Sequence, residues 1–185
     1  MKVGVVSSRF QILHLKHIEY ILAAKMRCER LYIGIEMPDQ IYTEQLDEEE
    51  KEKFNVDNPL TYIERHEMLC QALLEFGMEK EEFDIIPFPI QHSEYLSQYT
   101  PHEITYFLGI STEADRHKKT VLEKLDLRLE TLWERDEDKQ SITEKDVLDM
   151  IINDGKWESL VPKSTVKYMK KVKLISKIKD LAVES

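Results

Sequence analysis

The stretch Lys2-Val3-Gly4-Val5-Val6-Ser7-Ser8-Arg9-Phe10-Gln11-Ile12-Leu13-His14-Leu15-Lys16-His17-Ile18-Glu19-Tyr20-Ile21-Leu22-Ala23-Ala24-Lys25-Met26, with Leu31-Tyr32-Ile33-Gly34-Ile35 after it, decides the fold. Lys2 to Val6 opens on a short β-branched run, which reads as a buried strand. Polar Ser7, Ser8 and Arg9 begin a loop. From Leu15 to Met26 the apolar residues Ile18, Ile21, Leu22 and Met26 keep helical spacing. Leu31 to Ile35 is a second buried strand. Strand, helix and strand within about 35 residues make a βαβ unit, whose two strands run parallel.

The same alternation continues outward. Asp84-Ile85-Ile86-Pro87 and Ile104-Thr105-Tyr106-Phe107-Leu108 read as strands, the second ended by Gly109. Leu127 to Leu132 alternates apolar and polar residues, as a strand near a sheet edge does. Thr61 with Glu64 forms a capping box for a helix that buries Ile63, Met68, Leu69, Ala72, Leu73 and Phe76 and can end at Gly77. Glu113 to Leu125 is helical. Ser141-Ile142-Thr143-Glu144 starts another helix with a second capping box, and Pro162 opens a helical tail. Pro38 to Asn58 breaks the pattern, and its acidic run Asp47–Lys53 reads as a solvated helix or a loop. The expectation is an α/β fold with a doubly wound, Rossmann-like parallel sheet and a helical C-terminal end, residues 1–162 forming the α/β domain and 163–185 a helical segment of the same domain.

Composition narrows the function classes. With 185 residues, 42% hydrophobic and 34% charged, the chain is long enough to bury a core without staples. No apolar run reaches the roughly 20 residues of a membrane span, and the patterned N-terminus does not resemble a signal peptide, so a cytoplasmic protein without a membrane partner is expected. Cys28 and Cys70 are the two cysteines, and no metal-spaced pair exists. A net charge of -10 argues against nucleic acid as partner, yet leaves room for a local pocket that takes one small anion.

Such a pocket is legible in His14-Leu15-Lys16-His17, after the first strand and at the start of a helix. Three-residue spacing puts both imidazoles on one face, at a helix end whose free N–H groups favour an anion. Arg9 and Lys16 add two fixed cations. From spacing alone, two surface histidines on an ordinary helix explain the pattern equally well. Ser141 and Thr143 at a later helix start could hold phosphate or merely cap the helix. His66 and Cys70, four apart, read as a helix face flanking the core rather than as metal ligands. Neither a G-x-G-x-x-G nor a G-x-x-x-x-G-K-[ST] segment is present.

In order along the chain, these pieces resemble the archaeal-type nicotinamide mononucleotide adenylyltransferases of the cytidylyltransferase-like nucleotidyltransferase superfamily. Ser8-Arg9-Phe10-Gln11-Ile12-Leu13-His14-Leu15-Lys16-His17 is similar to that family's G-R-F-Q-P-F-H-x-G-H. Asn58-Pro59-Leu60-Thr61-Tyr62-Ile63-Glu64-Arg65 is similar to N-P-F-T-x-x-E-R. Phe107-Leu108-Gly109 matches its glycine-ended strand, Ser141-Ile142-Thr143-Glu144-Lys145-Asp146 its S-G-T-x-[IV]-R, and Trp157 to Pro162 its W-x-x-L-V-P.

The resemblance implies that His14, His17 and Arg9 are catalytic and grip the triphosphate of ATP. It implies that Ser8, Phe10, Lys16, Gly109, Ser141 and Thr143 bind nucleotide, that Mg2+ arrives with ATP, and that AMP passes to a phosphorylated acceptor as pyrophosphate leaves. Small-molecule nucleotides are the implied partners, and a homo-oligomer is in keeping with the family. The chain departs from the family at Ile12, Lys16, Ile142 and Asp146. It also lacks the P-D-I-x-x-N-x-L-W stretch, where Pro89-Ile90-Gln91-His92-Ser93-Glu94-Tyr95-Leu96 stands; Tyr95 is the expected substrate contact. Transfer from CTP, another acceptor, or a nucleotide-binding paralogue without catalysis are the alternatives these departures leave. The segment from Glu44 to Asn58 is longer than the family's loop and reads as a lid or, by preference, an insertion.

Overall fold

The computed structural model describes residues 2–39, 43–44, 46–135 and 142–184. Five strands form one sheet: β1 (Val3–Ser8), β2 (Arg30–Glu36), β3 (Phe83–Phe88), β4 (Thr105–Ile110) and β5 (Leu129–Glu134). Their order is β3-β2-β1-β4-β5 and every pairing is parallel. The order reverses between β1 and β4. Chain leaving β1 turns one way and chain leaving β4 the other, which opens a crevice at the carboxyl ends of the strands.

The connecting helices are α1 (Leu15–Lys25), α2 (Glu48–Asp57), α3 (Tyr62–Glu75), α4 (Glu113–Lys124) and α5 (Glu144–Ile152), followed by α6 (Lys163–Lys171) and α7 (Leu174–Glu184). The larger core lies on one face, where Ile18 and Ile21 of α1, Met68, Leu69 and Leu73 of α3, Leu148 and Ile151 of α5, Met169 of α6 and Ile178 of α7 meet the sheet. A smaller core on the other face joins Leu122 of α4 and Leu96 to Val5, Tyr106 and Leu108. The acidic segment becomes α2, which buries no side chain and packs against α7. Among the described residues no helix is long and apolar enough to cross a membrane.

Several expected boundaries and contacts move. β1 continues through Ser7 and Ser8, which lie opposite Gly34 and Ile35 in register. β4 does not stop at Gly109 but runs through it across a register shift against β5. β5 begins at Leu129 rather than Leu127, because Asp126 takes a left-handed turn (φ 54°). On α3, Ile63 is 59% exposed and Phe76 is exposed too, whereas Arg65 is buried. Residues 65, 68, 69 and 72 share one helical face, so position 65 points inward.

Arg65 is stabilised there by carbonyls, that of Thr61 on its own helix (3.3 Å from Nε) and three more from outside it. Its guanidinium donates to the carbonyls of Arg9 (2.8 Å), Glu36 (2.7 Å) and Met37 (2.7 Å). Burial lowers its pKa to about 10, still above neutrality, so it stays charged. These three carbonyls belong to the turns that follow β1 and β2. Phe10 and Met37 in those turns hold left-handed backbone (φ 50° each), a conformation that costs a side-chain-bearing residue roughly 1–2 kcal/mol. Full burial of the Phe10 ring offsets that cost. Arg65→Met removes the donors and leaves the carbonyls short of partners. Urea unfolding should show a loss of about 3 kcal/mol, and an unchanged midpoint would contradict this account of the turns.

Candidate functional site

A cavity of about 720 Å³ opens at the carboxyl ends of β1 and β4, within the size range of small-molecule sites. Its first wall is the turn from β1 into α1. His14 is the N-cap of α1 and is bonded reciprocally with His17: the Nδ1 of each ring accepts the backbone N–H of the other at 3.4 Å. The rings stack at 3.8 Å between centroids. The i, i+3 spacing thus makes a capping box from two imidazoles, where most helices use a hydroxyl and a carboxylate.

This cap favours one tautomer of each ring. With each Nδ1 accepting, each neutral ring carries its proton on Nε2. Burial, and then the other ring, lowers the pKa of His14 to about 2; burial, and then the cations of Arg9 and Lys118, lowers that of His17 to about 3. The histidines are therefore neutral N–H donors. His17 Nε2 lies 3.4 Å from Ser8 Oγ and 3.6 Å from Glu144 Oε1.

The expected cations are also matched by acids. Arg9 Nη2 donates to Glu144 Oε2 at 2.8 Å, and Arg9 Nη1 to Asn58 Oδ1 at 3.3 Å. Glu144 Oε1 accepts the backbone N–H of Gln11 at 3.0 Å. Lys16 Nζ meets Glu19 at 2.7 Å, and Arg135 meets the same carboxylate at 2.8 Å while stacking 4.4 Å over the Trp133 ring. Leaving the histidines aside, the lining places Arg9, Lys16, Lys118, Arg135 and Lys145 against Glu19, Glu36, Asp115 and Glu144, one net positive charge.

Of the expected site residues, Ser8, Arg9, His14, Lys16, His17, Gly109 and Thr143 line this one cavity. Gly109 stands against Trp133, whose ring a Cβ at that position would meet at 2.8 Å. Phe10 differs from expectation: its ring is wholly buried, edge-on to His17 at 5.0 Å, and it offers the cavity no surface. Its left-handed backbone turns the side chain into the core. Tyr95 is half-exposed in the 3₁₀ segment Ile90–Gln98 and does not line the cavity, whereas Ile90 and Gln91 do. Ser141 lies outside the described residues.

The second expected capping box is displaced by two residues. Thr143 is the N-cap of α5 and Asp146 its partner, with Thr143 Oγ1 donating to Asp146 at 2.7 Å. Asp146, on the position where the resembled family has arginine, is spent on that cap. Glu144, free of capping duty, turns to Arg9 and Gln11. Glu144, Glu36, Lys118, Tyr20 and Trp133 all line the cavity and escape a reading of motifs. Only Glu36 leaves a sequence signal, as an acid directly after the run Leu31-Tyr32-Ile33-Gly34-Ile35. Among the described residues no group of three His, Cys, Asp or Glu side chains is placed to hold a metal, and His66 and Cys70 form none.

Known proteins share this framework. The chain is 33% identical over 176 residues to the phosphonoformate cytidylyltransferase of Streptomyces viridochromogenes, covering 95% of each chain. It is 27% identical over 186 residues to the nicotinamide-nucleotide adenylyltransferase of Thermococcus onnurineus, covering 98% of this chain and 89% of the other. Among solved structures, a bifunctional NMN adenylyltransferase/ADP ribose pyrophosphatase from Francisella tularensis superposes with TM-score 0.66 at 12% identity. That match covers 97% of this chain and 52% of the other, so this chain spans about half of that protein, and the likeness is one of fold. No family model matches the chain.

The lowered histidine pKa values set a pH dependence. Below the unfolded value near 6.5 the unfolded histidines take up protons that the folded ones refuse. Stability is therefore complete above pH 6.5 and declines as pH falls from there toward 3. Ring-nitrogen NMR should find His14 and His17 neutral, with the proton on Nε2, from pH 8 down to 5; an imidazolium signal from either at pH 6 rejects the assignment.

Proposed function

The chain belongs to the cytidylyltransferase-like nucleotidyltransferase superfamily, and from that premise we propose that it transfers a nucleotidyl group from a nucleoside triphosphate to an anionic acceptor, with release of pyrophosphate. One observation carries this reading. Two stacked, neutral imidazoles present Nε2–H donors at the N-terminus of α1, inside a cavity at the point where the strand order reverses.

An anionic oxygen of the acceptor attacks the α-phosphorus. The new O–P bond forms as the bond from the α-phosphorus to the bridging oxygen breaks, and pyrophosphate leaves with that electron pair. An ionised acceptor has no proton to lose, so no general base is needed. His14 and His17 donate to the α-phosphate oxygens, where charge builds in the transition state. Arg9, Lys16 and the first turn of α1 take the outer phosphates. Arg9 exchanges Glu144 for phosphate, and Lys16 exchanges Glu19. The carboxylates of the cavity are already bonded to Arg9, Lys16, Arg135, Lys118 or backbone N–H groups. A magnesium ion thus fits this cavity as a companion of the triphosphate, where it would neutralise phosphate charge.

The base of the nucleotide belongs beside Gly109 and Trp133, at the β4–β5 end of the cavity. ATP as donor and a mononucleotide as acceptor follow the adenylyltransferase relatives. CTP is the second reading, favoured by the 33% identity to a cytidylyltransferase over nearly the whole chain. Asp146 argues less for a paralogue without catalysis than its charge suggests, because its carboxylate is turned back onto the helix cap.

Pyrophosphate release separates the readings. The protein is incubated with magnesium, ATP or CTP, and nicotinamide mononucleotide, phosphonoformate or further phosphorylated acceptors. Turnover with one donor names it, and nucleotide binding without pyrophosphate from any pair rejects the transferase reading in favour of the paralogue. His17→Ala should keep the fold and lower turnover by about 100-fold. Full activity in that variant would remove the imidazoles from the mechanism.

A further inference from the structure

The same cavity holds a buried ion pair that the proposed triphosphate contacts do not use. Glu36, the last residue of β2, and Lys118, in α4, approach to 2.5 Å between Oε1 and Nζ, with side chains only 10% and 14% exposed. Ser7 joins them. Its hydroxyl donates to the same Glu36 oxygen at 2.8 Å, and its carbonyl accepts from Lys118 Nζ at 3.1 Å. An ammonium has three donors, and two are occupied here. Among the described residues no acceptor is found for the third, and both residues line the cavity.

A pair this buried is an expensive way to gain stability, since each charge loses its hydration. Burial opposes the lysine's charge, yet the Glu36 carboxylate, with Tyr20 and Asp115 nearby, raises its pKa above the ordinary value. The ammonium is therefore a permanent charge. Its place follows from two adjacent residues of β1: Ser7 holds Lys118, and Ser8 sits 3.4 Å from the Nε2 of His17. Lys118 and the imidazole thus both meet the carboxyl end of β1. Arg9 and Lys16, by contrast, reach the cavity with side chains 40% and 41% exposed.

Attack on the α-phosphorus brings two anions together, and a fixed cation at that point offsets their repulsion most where water is excluded. We propose that Lys118 binds the anionic group of the acceptor, a phosphate, phosphonate or carboxylate, beside the α-phosphate, and that Glu36 is the positioning residue that holds its ammonium there. This rests on the proposed transfer reaction and assigns the acceptor side of the same cavity. The triphosphate is gripped by the turn into α1, and the acceptor by α4.

The test reads donor and acceptor separately. Triphosphate affinity is measured by Trp133 fluorescence or calorimetry without acceptor. Acceptor kcat and KM are measured by pyrophosphate release with nicotinamide mononucleotide and phosphonoformate as probes. Lys118→Met should leave the triphosphate Kd within about 3-fold and lower acceptor kcat/KM by about 100-fold, with Lys118→Arg restoring most of the loss. Because Lys118→Met strands the Glu36 charge, the double variant Lys118→Met/Glu36→Gln removes both charges; it should fold, bind triphosphate and show the same acceptor defect. An unchanged acceptor kcat/KM, or an equal loss of triphosphate affinity, overturns the assignment. Where neither probe turns over, calorimetry on protein loaded with a non-hydrolysable triphosphate reads their binding, and no binding by the wild type also overturns it. A wild type that binds neither ATP nor CTP instead sinks the proposed function itself, before any variant is made.

Discussion

One buried guanidinium ties together the two turns from which the cavity is built. Arg65 binds the carbonyl of Arg9 after β1 and the carbonyls of Glu36 and Met37 at the end of β2. The side chains of those same residues make the two walls: Arg9 reaches Glu144 on one side, and Glu36 reaches Lys118 on the other. Arg65 therefore acts on the site without lining it. A backbone that is left-handed at Phe10 and Met37 needs such an anchor, because neither residue adopts that conformation readily. Gln11 adds a second tie, its side chain accepting the N–H of Leu60 just before α3.

The cavity is closer to charge-balanced than to a basic cradle. The two imidazoles are neutral chiefly because they are buried, and Arg9, Lys16, Lys118 and Arg135 rest on internal carboxylates. This reconciles the proposed anion site with a chain of net charge -10. Unpaired cations crowded into a partly buried space would repel one another. Paired with carboxylates, they hold their positions until an anion exchanges for the carboxylate. Neutral N–H donors add affinity without adding to that repulsion, and they are aimed before the ligand arrives.

The order of strands and helices was readable because periodicity reports burial, and burial in a parallel sheet runs along continuous apolar segments. The motif around His14 and His17 was readable because the chemistry is local: a capping box lies within four residues. The same locality misled at α5, where Ser141 and Glu144 have capping-box spacing but Thr143 and Asp146 form the cap. Two overlapping patterns compete there, and the choice is made by Arg9 and Gln11, over a hundred residues away in sequence, which take the Glu144 carboxylate. Phe10 likewise sits inside the motif, yet its side chain serves the core, since a single left-handed residue reverses the direction in which it points.

Legible in the chain alone were the parallel α/β architecture, the turn from β1 into α1 as the candidate site and the family to which these motifs are similar, all of which depend on residues near one another in the chain. The folded arrangement alone sets the ionisation of the histidines, the partners of Arg9, Lys16 and Arg135, and the pairing of Glu36 with Lys118. Those depend on desolvation and on charges brought together from β2, α4 and α5. Neither burial nor Coulomb energy is a property of sequence spacing; both exist only once the strands have set the distances.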